Sequence, residues 1–177
     1  MLVALVGGAA EIEPCRLALR WLQEAAPKAQ LTLLVETAAV EAVQKLARGG
    51  EIMTDPGGEA GAEADRWLLE EIRKGRFEAA VFFTPFGRSP YRLAYLAYLA
   101  GVPVRVGQAQ EWGGSVLNRY FKEDEASACR PSAQRHLELL QKAFPEGNEE
   151  QNGRKQPRVR TTSRAGPIRG TRHCRLE

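Results

Sequence analysis

Two loop sequences carry side chains whose chemistry suits the binding of sugars and anions. Arg88 and Ser89 follow an apolar run and precede a helical pattern, where backbone N–H groups can attract an anion. Gln108, Glu111 and Trp112 follow a second apolar run and combine an amide, a carboxylate and an indole, which hydrogen-bond to sugars and stack on them. The pattern predicts that Arg88 holds a phosphate or carboxylate and that the second loop contacts a sugar. A solvated surface turn is an equally good interpretation of both loops.

Two carboxylates follow the first apolar run of the chain. Residues 2–6 end at Gly7 and Gly8, and Glu11 and Glu13 come shortly afterwards. A carboxylate there could act as a general base that takes a proton from a hydroxyl. The alternative is negative charge at the start of the next helix, worth roughly 0.3–1 kcal/mol, and the pattern favours this alternative. The glycine pair lacks the GxGxxG spacing, so no dinucleotide cofactor is predicted.

The histidines and cysteines form no metal-site or disulfide pattern. Cys15, Cys129 and Cys174 have no CxxC spacing and are odd in number, and neither His136 nor His173 has a metal-ligating neighbour at helical spacing. We therefore expect no metal and no cofactor, and we expect the thiols to be small apolar fillers or a stray exposed thiol. For His136, on a leucine-rich helical pattern, a packed or surface imidazole is favoured over a catalytic base.

The elements that must position these loops alternate between short apolar runs and longer helical patterns. Such alternation is typical of βαβ units around a parallel sheet. The predicted strands are residues 2–6, 31–35, 51–54, 79–83 and 102–106. The predicted helices are residues 12–26, 38–48, 62–74, 91–100, 115–120 and 132–143. Thr37 is the expected N-cap of the second helix. Tyr91, Tyr95 and Tyr98 form a stripe on the fourth, for which core packing is favoured over sugar stacking.

Residues 79–107 combine several motifs in one continuous stretch, which reads AAVFFTPFGRSPYRLAYLAYLAGVPVRVG. A strand, a loop with a small polar residue, a helix ending in Leu-Ala-Gly and a Pro-x-Arg-x-Gly strand follow in that order. This order resembles glycosyltransferase family nine, the heptosyltransferase group. Residues 14–35 are similar to the first helix and second strand of that family, and residues 132–140 to the helix that closes its amino-terminal domain. The resemblance covers residues 1–145.

The resemblance implies an open, mostly parallel Rossmann-like sheet, the amino-terminal, acceptor-binding half of a GT-B glycosyltransferase. A lipopolysaccharide, another surface glycan or a lipid-linked sugar would be the acceptor. The expected acceptor contacts are Gly7, Gly8, Thr84, Arg88, Ser89, Gln108, Glu111 and Trp112. The family has a Gly-Asp pair in its first loop, and the Asp deprotonates the acceptor hydroxyl. This sequence has Gly7-Gly8 at that point, so only Glu11 or Glu13 could replace the base.

The composition changes abruptly after residue 145. Residues 146–177 contain eight Lys or Arg against four Glu and few aliphatic side chains, which predicts a disordered basic tail behind a domain of residues 1–145. The chain carries a net charge of +3, and the tail accounts for more than all of it. We interpret the chain as a truncated or frame-altered glycosyltransferase. It is expected to be inactive alone, since the family's Asp and donor half are missing, and to meet a nucleotide sugar only if a donor domain is supplied elsewhere.

Two other classes of function stay open on the sequence. The first is a non-catalytic module that binds a glycan or a partner protein, or that complements a separate donor half. The second is a small nucleotide- or RNA-binding α/β protein with a basic tail, although the tail lacks aromatic residues for base stacking and nucleic acid is not favoured. No apolar run approaches the ~20 residues of a membrane span, and the first residues lack a basic leader. The predicted location is cytoplasmic, with a peripheral position at the inner membrane face left open.

Overall fold

The computed structural model describes residues 1–46 and 50–145 of the chain. The predicted tail, residues 146–177, lies outside this part. So do the end of the predicted second helix, residues 47–48, and residue 49. The strands are β1 (Leu2–Leu5), β2 (Thr32–Glu36), β3 (Glu51–Asp55), β4 (Ala79–Phe83), β5 (Val104–Ala109) and β6 (Arg119–Lys122). The α-helices are α1 (Arg16–Ala25), α2 (Val40–Leu46), α3 (Gly61–Lys74), α4 (Tyr91–Leu99), α5 (Glu125–Ala128) and α6 (Ser132–Ala143).

The six strands form one sheet in the order β3-β2-β1-β4-β5-β6. Every neighbouring pair is parallel. This is the strand order of doubly wound, Rossmann-like sheets, in which ligands bind beyond the carboxyl ends of the strands. The predicted open, parallel α/β fold is confirmed.

The central strands are apolar because both faces of the sheet are covered. All residues of β1 and of β4 are buried. Parallel strands between two layers of helices read as continuous apolar runs, since neither face meets water. The edge strands β3 and β6 are more exposed, and their sequences are more polar. Central strands are therefore easy to recognise in this sequence, whereas edge strands carry a weaker signal, and β6 was not predicted.

Successive side chains of β1 point into two separate cores. Val3 and Leu5 lie in a cluster with residues of α1 and α6, whereas Leu2 and Ala4 lie in a cluster with residues of α3 and α4. This alternation follows from the two-residue repeat of a strand. The described part of the chain is thus a three-layer body of helices, sheet and helices.

The predicted helix over residues 115–120 is wrong. The chain makes a 3₁₀ turn at Gly114–Val116 and then enters β6. The strand is short and half polar, so its own sequence carries no clear two-residue alternation. Its conformation depends on backbone pairing with β5, where Val106 lies opposite Arg119 and Ala109 opposite Lys122.

Thr37 is not the N-cap of the second helix. The chain enters α2 through a 3₁₀ turn at Thr37–Ala39, and no side chain caps that turn. The Thr37 hydroxyl donates instead to the backbone oxygen of Asp55 at 3.4 Å. A contact with a residue 18 positions away replaces the local cap that the sequence suggests.

Of the tyrosine stripe of α4, Tyr91 packs against the core, whereas Tyr95 and Tyr98 do not. The side chains of Tyr95 and Tyr98 are 51% and 47% exposed, and their rings stack with centroids 6.3 Å apart. The guanidinium of Arg105 lies 5.1 Å from the Tyr98 centroid. Leu93 and Leu96 form the buried face of this helix instead. The expectation of core packing is therefore wrong for Tyr95 and Tyr98.

Candidate functional site

The middle of the sheet has a crevice at its carboxyl edge. The chain leaves β1 toward the layer of α1 and leaves β4 toward the layer of α4, on the opposite face. Neighbouring strands whose connections diverge leave an opening between them, and α/β proteins bind ligands there. Residues 6–8 and residues 84–90 are the loops on either side of this opening.

A cleft of about 530 Å³ occupies this edge. Its floor is formed by the ends of three strands and its wall by the loop before α4. The lining residues are Val6, Glu36, Asp55, Pro56, Gly57, Gly58, Glu59, Arg88, Ser89, Pro90, Arg92 and Leu93. The lining combines carboxylates, guanidiniums and a hydroxyl, which can hydrogen-bond to a sugar ring.

Gly7 brings a carboxylate to the end of β1. Its φ of +119° is a conformation that other residues rarely adopt, and a Cβ there would lie 2.8 Å from Cγ of Glu11. The same Cβ would lie 3.4 Å from Cγ of Pro85 in the loop after β4. The glycine thus lets the Glu11 side chain pack directly over the strand end, beside the crevice.

Glu13 has a different role. Its carboxylate accepts from the Arg16 guanidinium at 2.7 and 2.8 Å on the exposed side of the first helical turn. The hydrogen bond from Arg16 holds the pKa of Glu13 below its usual value. Of the two predicted bases, the structure places only Glu11 against the strand end.

Glu36, the last residue of β2, ties the two sides of the crevice together. Its Oε1 accepts from the backbone N–H of Gly7 and from Nη2 of Arg88, both at 3.2 Å. Arg88 therefore points across the opening toward a carboxylate. The pair is partly exposed, which keeps its contribution to stability small.

Asp55, the last residue of β3, anchors the other wall of the cleft. Its buried carboxylate accepts from Nη1 of Arg92 at 2.8 Å and from the backbone N–H of Gly57 at 2.9 Å. Asp65 of α3 also accepts from Arg92, through Nε at 2.9 Å. Burial disfavours the charge on Arg92, but its bonds to the two carboxylates outweigh this, and its pKa is raised.

Comparison with known proteins identifies this architecture. No protein-family model and no curated protein sequence matches the chain significantly. Among solved structures, E. coli ADP-heptose LPS heptosyltransferase II is similar with a TM-score of 0.64 and 20% identity, over 78% of this chain and 39% of that chain. A family 9 glycosyl transferase from Veillonella parvula gives 0.66 and 16%, over 80% and 40%. E. coli heptosyltransferase WaaC gives 0.55 and 14%, over 81% and 48%.

The chain has a glycosyltransferase-like fold. The predicted resemblance is thereby confirmed at the level of the fold. The chain spans about two fifths of the length of the first two structures.

A buried polar cluster supports the loop of the glycosyltransferase-like domain that carries Arg88. The backbone oxygen of Thr84 accepts from Nη2 of Arg135 at 3.3 Å and lies 3.2 Å from Nε2 of His136. Arg135 also pairs with Glu123, and both side chains are almost completely buried. Glu123 in turn accepts from the backbone N–H of Gly87 at 3.3 Å. The loop after β4 is therefore held at its start by α6 and at its middle by Glu123, the residue after β6.

The thiol and imidazole of this cluster are inert at neutral pH. Cys15 Sγ lies 3.6 Å from Nδ1 of His136. Burial, with a smaller effect from Glu11, raises the pKa of Cys15 to about 12, and burial lowers the pKa of His136 to about 4. Proton transfer from so weak an acid to so weak a base is strongly unfavourable, so this pair does not supply a reactive thiolate. His136 is packed, as the sequence predicts.

The predicted acceptor residues fall into an open group and a buried group. Arg88 and Ser89 line the main cleft, and with Glu111 they also line an adjoining cavity of about 160 Å³ at the end of β5. Thr84 is completely buried, and Gln108 is 8% exposed. The Thr84 hydroxyl and the Gln108 amide nitrogen have no hydrogen-bond partner among the described residues.

Trp112 and the glycine pair are not among the residues that line the cleft or the adjoining cavity. Trp112 is 74% exposed, in the loop that follows β5. Tyr91 holds this loop, because its hydroxyl donates to the backbone oxygen of Glu111 and accepts from the backbone N–H of Gly113 at 2.6 Å. Gly8 is exposed, beside the buried Gly7.

Sequence reasoning missed five charged residues that build the site: Glu36, Asp55, Arg92, Glu123 and Arg135. A signal was present for two of them, because Glu36 and Asp55 each terminate a strand and strand ends converge at one edge of a parallel sheet. Arg135 lies in a helical pattern that reads as an ordinary surface helix. Only the packing of α6 against the loop after β4 reveals its role.

Residues 1–46 and 50–145 contain neither a metal-binding cluster nor a membrane-spanning helix. No group of three or more His, Cys, Asp or Glu side chains is placed to hold a metal ion. No helix in this part has the length and apolar character needed to cross a membrane.

Proposed function

We propose that this domain binds the acceptor sugar of a glycosyl transfer reaction. The observation that carries the proposal is the cleft of about 530 Å³ at the diverging ends of β1 and β4, lined by Glu36, Asp55, Arg88 and Arg92. Carboxylates accept hydrogen bonds from sugar hydroxyls and guanidiniums donate to them, and their fixed geometry orients a ring. The acceptor class that fits the resemblance is a lipopolysaccharide or another surface glycan.

Glu11 is the proposed general base of the transfer. An attacking hydroxyl must lose its proton as the nucleotide leaves, and a carboxylate can accept that proton. Gly7 and Gly8 offer no such group, whereas the Glu11 side chain packs against Gly7 at the crevice. Glu13 is engaged with Arg16 and lies on the outer side of its turn.

Transfer itself requires a nucleotide-sugar site, which we place in a donor-binding domain provided in cis or in trans. The similarity to heptosyltransferases covers only part of their length, and this supports a division of labour between two domains. Without a donor domain, the described residues act as a glycan-binding module in the cytoplasm. RNA binding by the basic residues 146–177 is a separate candidate that the test below also detects.

Binding is tested by titrating the ¹⁵N-labelled chain with a panel of bacterial surface glycans. Shifts confined to residues 7–8, 36, 57–59 and 87–92 are the expected result. Arg88→Gln is expected to weaken binding by about tenfold, since it removes a charged donor to the ligand. Arg16→Gln is the matched control, because Arg16 is an equally exposed, ion-paired arginine outside the cleft. Absence of any glycan binding, or salt-sensitive RNA binding lost on deleting residues 146–177, would overturn the proposal.

The role of Glu11 is tested by nucleotide release from a panel of sugar nucleotides, with the glycan that binds as acceptor. The chain alone is expected to release none above the uncatalysed rate. In an assembly that does transfer, Glu11→Gln is expected to lower kcat by about 10²–10⁴, with little change in acceptor affinity. Glu13→Gln is the control, and an equal loss in that variant would remove Glu11 from the mechanism.

A further inference from the structure

Three backbone donors that could hold an anion at the cleft are already bound to oxygens of the chain itself. The backbone N–H of Gly7 donates to Glu36, and the backbone N–H of Gly57 donates to Asp55. The first backbone N–H of α4, on Tyr91, donates to the hydroxyl of Ser89 at 3.2 Å. Exposed N–H groups at strand ends and helix starts are the usual binding groups for phosphate. Here those three groups are taken.

The two guanidiniums of the cleft are also paired. Arg92 uses Nε, Nη1 and Nη2 for Asp55 and Asp65, and Arg88 uses Nη2 for Glu36. A phosphate or carboxylate on a ligand would have to share each guanidinium with a carboxylate of the chain, close to that like charge. If it displaced the carboxylate, the carboxylate would be left partly buried without its partner, and that costs free energy.

The charge of the lining disfavours an anion as well. Glu36, Asp55 and Glu59 face Arg88 and Arg92, which leaves one uncompensated negative charge within the cleft. Glu11 is a further acidic residue at the neighbouring strand end. Like charges repel strongly in a partly enclosed site, and opposite charges attract.

We infer that the sugar unit seated in this cleft carries no anionic group and is a neutral or amino sugar. The inference rests on the proposed function and names the substrate class of the same site. Glu36 is its specificity-determining residue. Its Oε1 accepts from Gly7 and Arg88, and since no described residue donates to its Oε2, that oxygen can accept from a ligand hydroxyl or ammonium group. The sequence instead suggests that Arg88 contacts an anionic group of the ligand, whereas in the structure Arg88 donates to Glu36.

The experiment compares four glucose derivatives as ligands of the full chain: glucosamine, methyl glucoside, glucuronic acid and glucose 6-phosphate. Affinities come from the chemical shifts of residues that line the cleft. Glucosamine and methyl glucoside are expected to bind at least about tenfold more tightly than the two anionic sugars, since the cleft repels like charge. The preference is expected to shrink at high salt.

Two variants separate charge recognition from folding. Glu36→Gln keeps the size of the side chain and is expected to reduce the glucosamine preference by about fivefold, by removing one carboxylate charge. Glu13→Gln, an exposed carboxylate that is also paired with an arginine, is expected to leave the preference unchanged.

The outcomes distinguish the inference from the proposed function. Tighter binding of glucose 6-phosphate or glucuronic acid overturns the inference and leaves a glycan-binding site in place. Equal binding of all four sugars also overturns it. Failure of all four sugars and of the glycan panel to shift any cleft residue overturns the proposed function itself.

Discussion

Gly7 and Gly8 are adjacent in the chain but differ in what the fold demands of them. Gly7 has φ +119° and lies under the Glu11 side chain. Gly8 has φ −74°, and a methyl group on its Cα would meet no atom within 4 Å. The first glycine is needed for the approach of Glu11 to the end of β1, whereas the second is not.

Gly7→Ala is expected to lower the free energy of unfolding by about 1–3 kcal/mol, because it combines backbone strain with a close contact. Gly8→Ala is expected to change it by less than about 1 kcal/mol, with a tendency to stabilise, since alanine restricts the unfolded chain. Urea denaturation of both variants measures the difference. Equal denaturation midpoints for the two variants would show that the Glu11 side chain moves away from the added methyl group at no cost in free energy.

His136 makes stability depend on pH. Its pKa falls from 6.5 to about 4 on folding, because burial disfavours the imidazolium. Between these values the unfolded chain binds a proton that the folded chain does not. The contribution of the neutral imidazole is therefore fully present above pH 6.5 and is lost as the pH falls toward 4.

His136→Gln is expected to remove this component of the pH dependence. The loss of wild-type stability from pH 7 to pH 4 should exceed that of the variant by up to about 3 kcal/mol, given 1.36 kcal/mol for each unit of pKa. Denaturation curves at several pH values supply the comparison. If the difference in the free energy of unfolding between the wild type and His136→Gln stays constant from pH 7 to pH 4, His136 is not the source of this pH dependence.

At the scale of elements, one ion pair joins three parts of the fold. Glu123 follows β6, Arg135 belongs to α6, and both contact the loop between β4 and α4 through Gly87 and Thr84. The pair is buried, so each charge depends on the other for compensation. The position of Arg88 at the cleft depends on this support, although neither buried residue touches a ligand.

Arg135→Leu is expected to destabilise the protein by about 3–5 kcal/mol, because Glu123 is left buried without a partner. Arg130→Leu breaks an exposed pair with Glu138 beside the same helix and is expected to cost less than about 1 kcal/mol. Chemical denaturation measures both. If Arg135→Leu and Arg130→Leu lose the same free energy of unfolding, the buried pair of Arg135 and Glu123 does not have this stabilising role. Glu123→Leu combined with Arg135→Leu should recover part of the loss.

At the scale of the whole molecule, the two cores on either face of the sheet are built within residues 1–145. Their members run from β1 to Phe144, beside the end of α6. Both cores share the same sheet, so they should unfold together. We therefore expect residues 1–145 to behave as one cooperative domain.

A chain ending at residue 145 is expected to unfold in a single transition, with a midpoint within about 2 °C of that of the full chain. Calorimetry on both proteins tests this boundary. A large loss of stability on removing residues 146–177 would show that those residues contribute to the domain. Two separate transitions in either protein would show that the two cores unfold independently.

The sequence by itself determined the fold class and most of the elements. The strand at residues 79–83 and the helix at residues 132–143 have the predicted bounds. The strand is buried throughout and reads as one apolar run, and the helix carries its buried residues at helical spacing. The sequence also indicated the edge where polar loops meet, since parallel strands end together. It did not indicate β6, whose pairing with β5 replaces a weak local preference.

Only the tertiary structure decided how the charges are partnered. The local sequence treats Arg88 as a free cation and Glu11 and Glu13 as equivalent carboxylates. The fold pairs Arg88 with Glu36, 52 positions away, and puts Glu11 but not Glu13 against Gly7. Local helical spacing can predict a pair such as Glu13 with Arg16, but no local pattern in the chain encodes the distance between residues as far apart in sequence as Glu36 and Arg88. The chemistry of the cleft could therefore be inferred only once the strand order was known.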